Sequence, residues 1–256
     1  MTIDPNRGAL IEFRRRWGML SSVTPDAARK GVKLAPVAVA ALTLSNVVSN
    51  RWLPSHAYVP WNLAMAAGLL GLARAAGHSA EELGMSPKHL PKAARIAAAG
   101  VAAVGVGYTG VVSNRRASSF LQNQRLTSLS RTAALWHLFV RIPLGTALAE
   151  EIAFRSVLPA LLGSSRRPRW LSSAIASLLF GLWHILPSHM DARANGHADW
   201  KTLGKSVALG VVGTTVGGGV LSAIRRRAGH ILAPVALHVA ANCFGLVAVR
   251  LAHSRR

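Results

Sequence analysis

Beyond its first 30 residues the chain alternates long apolar blocks with short polar, mostly basic connectors. A bilayer-crossing helix needs about 17–25 predominantly apolar residues. Seven blocks have that character: 34–53, 59–76, 93–112, 133–162, 171–187, 203–224 and 231–252. The fourth is too long for one straight crossing, so the pattern predicts tilting, a kink near Pro143 or a partly interfacial segment. The connector 115–131 is polar and leaves room for a short interfacial helix, and Pro87 and Pro91 break the connector before the third span. The expected organisation is a basic cytoplasmic segment at 1–30 without a cleavable signal pattern, N-terminal spans at 31–132 and a helical core at 133–252. The fold class that follows is an all-α, polytopic transmembrane bundle of about seven spans.

Composition narrows the function classes. Apolar residues make up 51% of the chain and charged residues 15%, against about 25% charged in soluble domains. So apolar a chain is not disordered, and with Cys243 as its single cysteine it is not a disulfide scaffold. The net charge of +21 would suit a nucleic-acid binder, but it sits in groups at block ends: Arg14–Arg16, Arg166, Arg167 and Arg169, and Arg225–Arg227. Charge so placed anchors and orients spans, and no nucleic-acid partner is expected. With the N-terminus inside, inner segments hold 17 Lys and Arg and outer segments 11, while Arg141 and Arg155 lie within a span. The bias towards Arg, Ala, Gly and Val points to a GC-rich bacterial genome and a bacterial plasma membrane. In the sixth block Gly210, Gly213, Gly217, Gly218 and Gly219 suggest close helix packing.

The acidic residues carry most of the functional signal. Seven of the nine lie in polar segments, but Glu150 and Glu151 stand side by side inside the fourth block. Ionised carboxylates at membrane depth cost several kcal/mol unless paired or hydrated. Arg155 follows Glu151 by four residues, so that pair can neutralise itself on one helical face. Glu150 points about 100° away and has no local partner. It is therefore a candidate proton acceptor. Later blocks add Phe180 and His184, then His238 and Asn242, each pair four residues apart and so on one face. A carboxylate, two imidazoles and an amide suffice for hydrolysis: a base for water, and donors for an oxyanion. No H-E-x-x-H zinc helix, G-x-S-x-G elbow or intramembrane aspartate pair is present. Cys243 reads as a packing residue, and His137, His189 and His230 as interfacial ones.

Glu150-Glu151-x-x-x-Arg155, Phe180-x-x-x-His184 and His238-x-x-x-Asn242 resemble the three motifs of the CPBP family of intramembrane proteases. That family includes the Rce1-type CAAX prenyl proteases and bacterial Abi proteins. The resemblance covers residues 133–252 and implies an all-helical fold with a catalytic cavity in the membrane. It implies that Glu150 and His184 activate water, that His238 and Asn242 stabilise the oxyanion, and that Glu151, Arg155 and Phe180 support them. It also implies a membrane-associated protein or peptide substrate. Bacteria lack prenylated CAAX proteins, so the eukaryotic substrate is not carried over. No cofactor is favoured; the alternative is zinc held by Glu150, His184 and His238. The competing function is a non-catalytic immunity or scaffold protein of the same fold.

Seven spans and an inside N-terminus place Arg255 and Arg256 outside. Reporter fusions at positions 165, 195, 228 and 256 should alternate in side. Reporters at 165 and 195 on one side would contradict the arrangement around the catalytic helices.

Overall fold

The computed structural model describes residues 24–119, 121, 123–163, 168–197 and 199–255. Most of the basic segment expected at 1–30, with Arg14–Arg16, lies outside these residues, as do Arg166 and Arg167. The described residues form helices and connectors with no strand. The helices are α1 (Pro25–Arg51), α2 (Tyr58–Ala75), α3 (Leu90–Ser113), α4 (Arg131–Leu162), α5 (Arg169–Trp183), α6 (Ile185–Ala194), α7 (Trp200–Ala228) and α8 (Leu232–Ser254). With α5 and α6 taken together, six are long and apolar enough to cross a membrane. The chain is a multi-pass helical membrane protein. The remaining expected span, α2, is an 18-residue helix carrying Asn62 and Arg74 and lies outside that group.

Local chemistry fixes the helix ends. Thr24 caps α1 by accepting the Ala27 N–H at 3.3 Å, with Pro25 at the first position and Asp26 in the first turn. Asp199 caps α7 through the Thr202 N–H at 2.9 Å, and that bond holds its carboxyl below the usual range. At the other end of α7, Gly229 turns left-handed at φ +75° and donates to the Arg225 carbonyl. The connector after α3 contains two single-turn helices, Arg115–Ser118 and Gln124–Thr127, capped by Asn114 and Asn123.

Two prolines reshape the helices that carry the motifs. In α4 the residues His137–Leu148, which include Pro143, and Ile152–Val157 are wound as π-helix, with one α turn, Ala149–Glu151, between them. The sequence predicted tilting, a kink near Pro143 or a partly interfacial segment; here the helix has a wider winding through the residue that cannot donate. Such stretches are rare and concentrate at functional sites. In the next segment Pro187 cannot donate to the Trp183 carbonyl one turn back. That carbonyl instead accepts the Asn46 side-chain amide of α1 at 2.7 Å. The helix breaks between α5 and α6 at His184, whose N–H turns back to Gly181 at 3.0 Å.

The helices before residue 132 are not a separate body. Leu42 of α1 and Leu69 of α2 share one buried core with Phe154, Leu158 and Leu161 of α4 and Phe180 of α5. A smaller cluster joins Ala93 and Ala97 of α3 to Ala228 and Ala233 at the α7–α8 turn. Of the six α7 glycines, Gly210 and Gly218 lie against other side chains, whereas Gly204, Gly213, Gly217 and Gly219 face open space. The close approach that α5 and α7 share is made by Gly181, where an added Cβ would lie 2.8 Å from the Val211 carbonyl and collide with Thr215. Gly181→Ala should therefore force the two helices apart and destabilise the protein by about 1–3 kcal/mol. Gly213→Ala, on the open face, should stay within roughly 0.5 kcal/mol of wild type. Thermal unfolding in detergent compares the two.

Candidate active site

Glu150, Glu151 and Arg155 come from the single α turn and the second π-wound stretch of α4, and all three are buried. Glu151 is fully buried. Its Oε1 lies 3.1 Å from Arg155 Nη1 and accepts the His238 Nδ1–H of α8 at 2.8 Å. Glu150, which lacks a partner on its own helix, faces the same imidazole from the other side: its Oε2 is 3.7 Å from His238 Nε2. The histidine thus stands between two adjacent glutamates.

Hydrogen-bond partners fix the imidazole tautomers. A carboxylate and a carbonyl only accept, so His238 Nδ1 carries its proton towards Glu151. His184 Nδ1 likewise donates to the Phe180 carbonyl at 2.8 Å. Both neutral rings then present an unprotonated Nε2. It follows that His238 can donate from Nε2, as an oxyanion site requires, only as the imidazolium.

Phe180 holds the cluster together. Its ring lies under the Arg155 guanidinium at 4.0 Å and edge-to-face with His184 at 4.4 Å, Phe154 at 5.0 Å and His238 at 6.3 Å. The contacts with Arg155, His184 and His238 fix polar neighbours, and the one with Phe154 helps exclude water. Gly218 of α7 makes room for this stack, since a Cβ there would sit 3.1 Å from both Arg155 Nη2 and the Phe180 ring. Trp183 contributes an edge contact to His184 at 5.3 Å and donates its indole N–H to Leu42 of α1 at 3.2 Å.

The structure therefore brings together Glu150, Glu151, Arg155, Phe180, His184 and His238. Asn242, one turn beyond His238, lines a cavity of about 540 Å³ with Tyr58, Arg141, Thr146 and His137. Among the described residues no hydrogen bond joins Asn242 to His238 or His184 to Glu150. Tyr58 lies 3.4 Å from Thr146 Oγ1 and beneath the Arg141 guanidinium at 4.1 Å. Sequence reasoning missed Tyr58, Asn46 and Trp183. The available signals were a polar residue within or beside an apolar block and, for Asn46, the carbonyl that Pro187 leaves unpaired. Glu150 Oε2, Glu151 Oε2 and Arg155 Nη2 are buried without a hydrogen-bond partner. In a low-dielectric interior such atoms call for water or a substrate group. Among the described residues no three His, Cys, Asp or Glu side chains converge as a metal ion would require.

Residues 132–244 match the family described as Type II CAAX prenyl endopeptidase Rce1-like. The matched stretch is just under half of the chain and includes every residue of the cluster and Asn242. No curated protein and no solved structure matches the chain.

Removing one member of a buried ion pair costs about 3–5 kcal/mol because the other is left charged and unpaired. Glu151→Gln should therefore be strongly destabilising, since it strands Arg155 and loosens His238. Glu150→Gln should be much milder, as Glu150 faces only the neutral His238 ring, 3.7 Å away, and strands no cation. Thermal unfolding of both variants in detergent tests the difference, and equal losses would contradict it.

Proposed function

Residues 132–244 belong to the family of Rce1-like type II CAAX prenyl endopeptidases, and from that premise we propose an intramembrane endopeptidase that uses Glu150 as its base. Its substrate is a membrane-associated protein or peptide, cleaved in the cell membrane. The observation that carries the reading is the placement of His238 between two buried glutamates, one locked by Arg155 and the other with an open oxygen.

In this reading Glu150 takes a proton from a water molecule as its oxygen attacks the scissile carbonyl. His184, its Nε2 unprotonated, orients that water. The proton passes from Glu150 to His238 Nε2. The imidazolium so formed donates to the oxyanion together with the Asn242 amide, then to the leaving amine. Glu151 and Arg155 hold the ring and balance its charge, and Phe180 keeps the group dry. What supports the Glu150-to-His238 transfer is their separation of 3.7 Å, and fixed groups of this kind stabilise developing charge best.

Glu150→Gln should abolish cleavage in a folded protein, scored by comparing membrane peptides from wild-type and variant cells. Asn242→Ala should lower the rate by about 10²–10³ with substrate binding intact, as loss of an oxyanion donor does elsewhere. An amide is a poor zinc ligand, so this variant also separates the two chemistries. If zinc on Glu150, His184 and His238 did the work, purified protein would carry about one equivalent and lose activity on chelation. Full activity of Asn242→Ala with stoichiometric zinc would overturn the proposal.

A further inference from the structure

A second cavity, of about 580 Å³, lies where the starts of α3 and α5 meet the ends of α4 and α7. Its cations are Lys92, Arg169, Arg225, Arg226 and Arg227, with Arg155 at its inner wall. Two acids also line it, but both are engaged: Glu81 by Lys88 and His89, and Glu82 by His78 and the Ser79 N–H. Arg155 is committed to Glu151 through Nη1, while its Nε and Nη2 have no hydrogen-bond partner. Arg225 Nε is likewise buried and unpartnered.

Arg225 is not a loosely tethered surface charge. Its guanidinium lies on Gly84, where any Cβ would collide with it, and Gly84 sits at φ +72°. Arg225 Nη2 donates to the Glu82 carbonyl at 3.2 Å. The same turn is tied down by Ser156, which donates to the Leu83 carbonyl at 2.6 Å, and by the Ile231 N–H on the Gly84 carbonyl at 2.8 Å. Orientation of the spans needs only basic residues in the connectors. It does not need a guanidinium seated in a glycine saddle at the wall of a cavity. Cations held at such a density between membrane helices require a counter-anion, and basic pockets of this kind suit lipid head groups.

We propose that this cavity binds a phosphate group, with Arg225 as its fixed donor and Arg226, Arg227 and Lys92 as its mobile ones. The same chemistry is offered by an anionic phospholipid head group and by free phosphate. The test uses delipidated protein in neutral detergent, titrated separately with phosphatidylglycerol, phosphatidylcholine and inorganic phosphate. Thermal unfolding and native mass spectrometry are the readouts. Saturable stabilisation and a bound adduct with phosphatidylglycerol, weaker with phosphatidylcholine, identify a head-group site. Saturation by inorganic phosphate alone identifies a free-phosphate site. Arg225→Gln should weaken either ligand by roughly 10-fold to 100-fold, as loss of a charge-assisted hydrogen bond does. Because Arg225 is partly buried, the exposed pair Arg226→Gln/Arg227→Gln serves as a second variant and should weaken binding without loss of fold. No saturable effect of any ligand on the wild type, or equal binding by wild type and both variants, would overturn the proposal. None of these readouts depends on proteolysis.

Discussion

One carboxylate oxygen, Glu151 Oε1, receives both the Arg155 guanidinium and the His238 ring. In water such a triad would contribute little. Inside a membrane bundle each member is costly alone, so the three persist only together. The constraint spreads outward. Arg155 must lie flat on Phe180, Phe180 must meet His184 and His238, and Gly218 must be small enough to admit the stack. The geometry of the cluster is therefore a consequence of neutralising one buried acid, and Glu150 is the acid left over.

What the sequence made legible were the local relations. Adjacent glutamates in an apolar block, an arginine four residues on and histidines in later blocks could each be read from spacing and polarity. Helical spacing places two residues on one face of a helix, but does not say which other helix that face meets. His238 and Asn242 share a face, and the fold turns the first to the glutamates while the second lines the cavity beside Tyr58. The contribution of α1 and α2 was invisible for the same reason: Leu42, Asn46 and Tyr58 reach the site from more than 80 residues away in sequence. The π winding of α4 was illegible too. Periodicity in an apolar block is too weak a signal to separate a hydrogen-bond step of four residues from one of five, and Pro143 signals a disturbance without saying what kind.

Adjacent residues on a helix point about 100° apart, so Glu150 and Glu151 cannot both reach one atom. They can reach the two nitrogens of one ring, provided that ring enters edge-on between them. An imidazole is the one ionisable side chain with two such atoms, and its nitrogens differ in role once one is committed. Glu151, held by Arg155, commits Nδ1 as donor. Glu150, without an ion-pair partner on its own helix, is left facing Nε2 at 3.7 Å. The doubled glutamate thus separates an acid committed to an ion pair from one that faces only an imidazole by a single residue of sequence. Exchanging either for an uncharged residue removes a different interaction, although both lie in the same helical turn.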